Sequence, residues 1–202
     1  MDGPSSVITA AHCIYDPTGH ETTPTPAWIK AYPGYNYGSY HPEPFPYCEE
    51  FQRLVPYEWV YEGQSVEWDY GVYRLRCNIG DLTGQFGFKT FPDGIYNVEL
   101  VGYPQDKFIG DYKTMWTSHG IINNLSPILA YYNNDSVGGE SGAPVWDTDH
   151  STCQFCVMAV HSRGYDSESN VGPRVNWNLY QVLYYERTRI RYSEIFLPLV
   201  IN

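Results

Sequence analysis

Three residues of this 202-residue chain have types that could perform chemistry together: Ser141, His12 and Asp69. Ser141 lies in the stretch GGESGAP at residues 138–144, where glycines allow the backbone to turn tightly and bring its own N–H groups close to a ligand. A serine hydroxyl is a weak nucleophile until a histidine takes its proton and a carboxylate orients that histidine. The three residue types therefore indicate acyl-transfer chemistry, in which backbone donors stabilise the oxyanion.

His12 and Asp69 each stand beside a predicted strand, where a side chain can be held in place. His12 ends the apolar stretch VITAAH at residues 7–12, and Asp69 begins an apolar alternation next to Trp68. Each residue alone has an ordinary structural interpretation, as a core histidine, a turn acid or a turn serine. The order His, Asp, Ser is one of the three in which known folds deliver such a triad, so the set favours catalysis.

Composition restricts the class of protein and of partner. The formal net charge of −11 disfavours nucleic acid and anionic membranes as partners, because both would repel the chain. The sequence contains no apolar run of the roughly 18 residues that a membrane helix requires. With 18 glycines, 15 prolines and 17% aromatic residues, it is typical of short strands joined by many turns, in one large domain or two small ones.

Short apolar segments separated by turn residues predict an all-β, antiparallel protein. Residues 16–50 are predicted to be loops with one or two short strands, and residues 80–94 a turn-rich connection. Helical spacing of apolar residues predicts one helix at 176–189, and the tail at 190–202 is not assigned. The predicted strands cover residues 5–11, 55–66, 69–75, 98–103, 114–118, 128–132, 144–146, 156–161 and 171–175.

The motifs resemble those of the chymotrypsin-fold serine proteases. ITAAHC at residues 8–13, WDYGV at 68–72 and GGESGAP follow one another in the order that this family uses. Four further stretches make the chain most similar to the glutamyl endopeptidase branch, over roughly residues 5–187. These stretches are GQFGF at 84–88, GYPQDK at 102–107, MW at 115–116 and YYNNDS at 131–136.

The resemblance implies a role for each motif residue. Ser141 is expected to attack the scissile carbonyl, His12 to carry its proton, and Asp69 to orient the imidazole. The N–H groups of Gly139 and Ser141 are expected to form the oxyanion hole. The implied fold is two antiparallel six-stranded β-barrels with a C-terminal helix. Residues 1–90 would form the first barrel, which is incomplete at its N-terminus and carries His12 and Asp69, and residues 91–202 the second, which carries Ser141.

The resemblance also implies a pocket for an acidic side chain. His161 and Ser136 match the positions that hold a glutamate in this branch, and the neighbouring Ser162 and Gly164 are counted with the substrate-binding residues. Imidazole and hydroxyl donors would compensate a carboxylate for lost water, so cleavage after Glu, and more weakly after Asp, is expected. Two alternatives stay open: Asp135 selecting Arg or Lys, and His161 as a strand histidine satisfied by the backbone.

The chain departs from the resembling pattern at two places. Glu140 stands where digestive enzymes carry the aspartate that receives the new N-terminal amine, and we assign it no partner. The resembling fold has about two more strands and a cysteine before Cys13, so the chain is expected to be a truncated part of a longer precursor. We pair Cys153 with Cys156 as a small loop staple and Cys48 with Cys77, and leave Cys13 for the partner expected upstream.

Location, partners and the main alternative follow from these expectations. The chain is expected to be a secreted monomeric protease made as a zymogen, with a signal peptide upstream. It is expected to act on proteins or peptides, without a cofactor, metal ion, nucleic acid or membrane partner. The alternative is an inactive relative that binds or regulates without turnover.

Overall fold

The structure is a computed structural model and describes residues 3–15, 29–36, 45–110, 112–149, 153 and 155–189. Strands dominate these residues. The elements, in chain order, are β1 (Ser6–Thr9), β2 (Lys30–Ala31), β3 (Cys48–Leu54), α1 (Tyr57–Tyr61), β4 (Gly71–Leu75), α2 (Gly80–Thr83), β5 (Gly87–Phe88), β6 (Tyr96–Gly102), β7 (Trp116–Leu125), β8 (Leu129–Tyr132), β9 (Pro144–Asp147), β10 (Cys156–Val160), β11 (Arg163–Gly164), β12 (Asn170–Pro173) and α3 (Trp177–Thr188).

The strands form two sheets. The first sheet has four strands in the order β1-β4-β3-β2, and the second has eight in the order β11-β12-β8-β7-β6-β9-β10-β5. All neighbouring pairs are antiparallel except β10 with β5. The sequence-based prediction of an all-β protein with an incomplete first barrel and a C-terminal helix is confirmed, although the described strands divide four and eight rather than six and six.

Alternating side chains of the second sheet build the main core. In β6, Val98 and Leu100 are buried, and they pack in one cluster with Ile122 of β7 and Val145 of β9. Two residues apart on a strand, such side chains share one face of the sheet, so each strand contributes a row to the core.

A second cluster joins the two sheets through α3. Leu179 and Leu183, four residues apart on one face of the helix, pack with Tyr70 beside β4 and with Val160 of β10. The side chain of Asn176 caps the helix by accepting a hydrogen bond from the N–H of Leu179 at 3.0 Å. The predicted helix at 176–189 is therefore present with nearly the expected bounds.

The prediction of one strand over residues 55–66 is wrong. Residues 57–61 form the short helix α1, and Pro56 immediately precedes it. Proline lacks the N–H that a strand ladder needs, but it is readily accommodated at a helix start. Trp59 is buried there and donates its indole N–H to the carbonyl of Tyr15 at 2.9 Å. The apolar residues of this segment therefore belong to a single helical turn that Trp59 anchors, and not to a strand.

Two disulfide bonds are present, Cys48–Cys77 and Cys153–Cys156, whereas Cys13 is a free, exposed thiol. The first bond fixes β3 to the residues that follow β4. The apolar tail at 190–202 lies outside the described residues. No helix among the described residues is long and apolar enough to cross a membrane.

Candidate active site

The pairing of β1 with β4 brings His12 and Asp69 together. The register opposes Thr9, the last residue of β1, to Gly71, the first residue of β4. In an antiparallel pair, residues just after one strand therefore meet residues just before the other. His12 lies in a 3-10 turn after β1, and Asp69 follows a second 3-10 turn that leads into β4.

Asp69 is completely buried and accepts hydrogen bonds from two residues. Its carboxylate accepts from the backbone N–H of His12 at 2.9 Å, contacts Nδ1 of the His12 imidazole at 2.7 Å, and accepts from the hydroxyl of Ser162. Burial alone would raise the pKa of Asp69, but these hydrogen bonds and the charge of His12 outweigh it and lower the pKa. Asp69 is therefore held as an anion.

The same contact controls the protonation of His12. Burial alone would lower the pKa of its imidazole, but the hydrogen bond to Asp69, helped by contacts with Cys13, raises it from the usual 6.5 to about 10. Because Nδ1 is committed to Asp69, Nε2 is the ring nitrogen left to exchange a proton with a ligand.

Ser141 lies in the loop between β8 and β9. The N–H of Gly142 donates to the carbonyl of His161 at 2.8 Å, and the N–H of His161 donates to the carbonyl of Ala143 at 2.9 Å, which fixes the loop against the end of β10. The hydroxyl of Ser141 contacts the carbonyl of Ser162 at 3.5 Å. Among the described contacts, this hydroxyl makes no hydrogen bond with His12.

The loop before Ser141 has free backbone donors. Gly139 has a φ of +99°, and a Cβ there would lie 2.7 Å from the carbonyl oxygen of Tyr103, so the position requires glycine. Within the described part of the chain, the N–H groups of Gly139 and Ser141 have no protein acceptor. Such donors are available to an oxyanion.

Glu140 acquires an internal partner in the structure. Its buried carboxylate accepts the N–H of Val137 at 3.0 Å and so bridges the loop that carries Gly139. Burial raises the pKa of Glu140, and the nearby carboxylates of Asp135 and Asp106 act in the same direction.

One cleft of about 770 Å³ contains the predicted site residues. His12 and Ser141 line it together with all four predicted substrate-binding residues, which are Ser136, His161, Ser162 and Gly164. Among the residues that line this cleft none is an aspartate or a glutamate, although the chain has a net charge of −11. Asp135 is exposed and borders a separate small cavity with Lys107 and Glu140.

His161 is buried on the cleft wall as a neutral imidazole. Its Nδ1 contacts the hydroxyl of Tyr132 at 2.7 Å. Burial lowers its pKa from 6.5 to about 4, and the charge of His12 acts in the same direction. If the tyrosine donates to Nδ1, the proton of the neutral ring resides on Nε2, which can then donate to an acceptor in the cleft.

Ser136 is held by residues that the sequence analysis missed. Its hydroxyl donates to Oδ1 of Asn170 at 2.7 Å, and Nδ2 of Asn170 donates to the carbonyl of Asn134 at 2.6 Å. Asn170 itself lines the cleft. Neither Asn170 nor Tyr132 belongs to a catalytic motif, so only the pairing of β8 with β12 reveals them.

The structure assigns Ser162 a further contact that the sequence did not indicate. Its hydroxyl faces Asp69, while its carbonyl faces the hydroxyl of Ser141. Among the described residues, no group of three or more His, Cys, Asp or Glu side chains could hold a metal ion.

The two sheets, with His12 and Asp69 at the end of one and Ser141 in a loop of the other, define a chymotrypsin-like fold. A solved structure of a Glu endopeptidase in complex with MPD superposes with a TM-score of 0.79 at 23% identity, over 93% of this chain and 83% of that one. No family model matches the chain.

Two relatives with a higher sequence identity make the resemblance more specific. The chain is 31% identical over 190 residues to a glutamyl endopeptidase of Bacillus licheniformis, which covers 91% of the chain and 57% of the relative. It is 30% identical over 186 residues to a protein of Bacillus subtilis named extracellular metalloprotease. This match covers 90% of the chain and 55% of the relative. The predicted resemblance to glutamyl endopeptidases is thus confirmed. The chain spans little more than half the length of these relatives, so its activity is a matter for proposal.

Proposed function

We propose that the chain is the catalytic part of a serine endopeptidase that cleaves peptide bonds through an acyl-enzyme. The observation that carries this proposal is the contact of the buried Asp69 carboxylate with Nδ1 of His12, at the cleft that Ser141 also lines. In serine proteases, a carboxylate that binds Nδ1 in this way fixes the ring so that Nε2 can accept and return a proton. The similarity to glutamyl endopeptidases supports the same reaction.

In the proposed reaction, the hydroxyl of Ser141 rotates from the carbonyl of Ser162 towards Nε2 of His12 and attacks the scissile carbonyl. Nε2 takes the proton and then gives it to the leaving amine. The N–H groups of Gly139 and Ser141 stabilise the tetrahedral oxyanion. A water molecule activated by the same histidine then releases the acyl group, and Asp69 stabilises the imidazolium in both halves.

We propose that the residue before the scissile bond is glutamate, or more weakly aspartate. The cleft wall lacks carboxylates, and the neutral His161 can offer an N–H. The hydroxyl of Ser136, which donates to Asn170 in the structure, can turn to donate to a substrate carboxylate instead. A substrate carboxylate that loses water on entering needs such donors. Selection of Arg or Lys by Asp135 is disfavoured, because that carboxylate borders a different cavity.

The test of catalysis is active-site labelling with a fluorophosphonate probe. We expect the native chain to react, and both Ser141→Ala and His12→Ala to abolish labelling. His119→Ala is the matched control, because His119 is 76% exposed and pairs with Glu99 away from the cleft. No labelling of the folded native chain would instead favour an inactive binding or regulatory module.

The test of specificity is a set of peptides that differ only before the scissile bond. We expect kcat/KM to be highest for Glu, lower for Asp and lowest for Gln and Arg. His161→Gln should reduce the preference for Glu over Gln at least tenfold, since a charge-assisted hydrogen bond contributes about 1.5–3 kcal/mol. Faster cleavage after Arg would overturn the glutamate assignment.

The remaining expectations stay proposals. We propose that the chain acts outside the cell on protein or peptide substrates, as a monomer, and that residues 1–90 and 91–202 form its two structural units. The name of the Bacillus subtilis relative, extracellular metalloprotease, supports the location alone. Two disulfide bonds agree with an oxidising compartment.

A further inference from the structure

We propose that Arg163 forms a second acidic subsite, which selects Glu or Asp one residue further towards the substrate's N-terminus than the residue cleaved. This inference rests on the proposed function. The residue immediately before the scissile bond is called the first position, and the residue that precedes it the second position.

Arg163 supplies positive charge to a cleft that has little of it. Among the residues that line the cleft, Arg163 is the only lysine or arginine, and none is a carboxylate. Its side chain is 52% exposed, so its guanidinium is accessible to a substrate. In a chain with 12 basic and 23 acidic residues, one of the few cations therefore lines the same cleft as Ser141.

The guanidinium is oriented but not fully used by the protein. Its Nε donates to the hydroxyl of Ser162 at 3.3 Å, and its Nη2 is 3.9 Å from the Asp69 carboxylate. That carboxylate is already bound by His12 and by Ser162. Because a guanidinium has five N–H donors, a ligand carboxylate can bind the open edge without displacing these contacts.

The strand that carries Arg163 is available for pairing with a substrate. β11 is at the edge of the eight-stranded sheet and pairs only with β12 among the described strands. An extended peptide adds to such an edge through main-chain hydrogen bonds. The carbonyl of Ser162 already faces the hydroxyl of Ser141, so the first position lies opposite Ser162.

The second position then lies opposite Arg163. In an antiparallel pair, one step back along the substrate corresponds to one step forward along β11. Side chains directly opposite have Cβ atoms roughly 4.5–5.5 Å apart, and opposite charges there attract. The guanidinium of Arg163 is 3.9 Å from the carboxylate that orients His12, whereas His161 and Ser136 serve the first position.

The experiment compares peptides with Glu at the first position and Glu, Gln or Lys at the second. For the native chain we expect kcat/KM to be about two- to fivefold higher with Glu than with Gln at the second position. Arg163→Gln should reduce this ratio to near one, and Arg163→Glu should invert it in favour of Lys. Arg76→Gln, which removes an exposed arginine outside the cleft, should leave the ratio unchanged.

Binding of the same peptides to the Ser141→Ala variant separates the two proposals. If the native chain cleaves none of the peptides, the proposed function fails, yet a tighter Kd for second-position Glu that Arg163→Gln abolishes still supports the subsite. Equal rates and equal Kd values for Glu and Gln overturn the subsite. It is also overturned if Arg163→Gln slows all peptides equally and shifts the pH profile, because Arg163 would then act through Asp69.

Discussion

At the scale of single residues, Asp69 determines the chemistry of the cleft. Its carboxylate holds the backbone and the ring of His12 at once, so the imidazole can neither rotate nor exchange its tautomer freely. The hydroxyl of Ser162 contacts the same oxygen that contacts the ring. A carboxylate that is shielded from water but held as an anion by hydrogen bonds favours a protonated imidazole beside it.

This contact predicts an alkaline pH dependence. The proposed base must be neutral to accept the proton of Ser141, and the pKa of His12 is raised above its usual 6.5. We therefore expect kcat/KM to fall as the pH decreases through an apparent pKa well above 6.5, and to rise towards alkaline pH.

The measurement is a pH profile of kcat/KM, checked by NMR titration of the His12 ring in the Ser141→Ala variant. Cys13→Ala should lower the pKa of His12, because contacts with Cys13 contribute to its rise. Stability depends on pH in the opposite direction, because the raised pKa stabilises the fold below pH 6.5 and this contribution is lost as the pH rises through about 10. A His12 pKa at or below 6.5 would contradict this explanation.

The residues that the sequence indicated and those it missed differ in a physical way. His12, Asp69 and Ser141 stand in local motifs whose glycines, alanines and aromatic neighbours signal a constrained backbone. Tyr132 and Asn170 act through hydrogen bonds to residues 29 and 34 positions away. Such partners depend on strand pairing, which local composition does not specify.

At the scale of elements, the loop that carries Ser141 lies directly against the end of β1. Gly142 has a φ of +83°, and a Cβ there would lie 2.1 Å from Oγ1 of Thr9 and 2.9 Å from the N of Ala10. The loop of the second sheet is therefore pressed against the strand that leads to His12. This close approach sets the distance between the two proposed catalytic side chains.

We predict that Gly142→Ala lowers both stability and activity more than its matched control, Gly110→Ala. Gly110 also has a positive φ, of +62°, but a Cβ there meets nothing within 4 Å. Strain of about 1–2 kcal/mol from the positive φ is common to both, so the difference isolates the contact with Thr9. Urea unfolding should show at least ~2 kcal/mol of additional loss, and kcat/KM should fall about a hundredfold. Equal effects of both substitutions would show that the loop has room to move.

Helices and strands could be predicted from the sequence where the apolar residues follow a single regular spacing. Helix α3 has a regular stripe, and β4, β6 and β10 have apolar runs bounded by turn residues. Residues 55–66 have apolar residues too, but Pro56 and the positive φ of Gly63 and Gln64 confine them to one helical turn between bends. The parallel pairing of β5 with β10 joins residues 87–88 to 156–157, a long-range contact with no local signal.

At the scale of the whole molecule, α3 links the second sheet to the first through charge. Glu186, which is 3% exposed, binds the guanidinium of Arg74 on β4 and contacts Nε of Arg189 at 2.8 Å. Arg187 of the same helix donates to the carbonyl of Phe86. The last turn of the helix therefore connects parts of the chain that the strand ladders do not join.

We predict that Glu186→Ala destabilises the fold by about 3 kcal/mol, because it leaves the half-buried Arg74 and Arg189 without their shared counter-ion. Glu186→Gln, which keeps the shape and one acceptor, should cost less, and Arg74→Met combined with Glu186→Leu should restore most of the loss. Unfolding in guanidinium chloride, followed by tryptophan fluorescence, measures the stability of each variant.

Glu186→Ala should also lower kcat/KM, because loss of the ion pair allows the two sheets to separate at the cleft. An unchanged unfolding midpoint would mean that the apolar cluster around Leu179 and Leu183 holds the sheets together by itself.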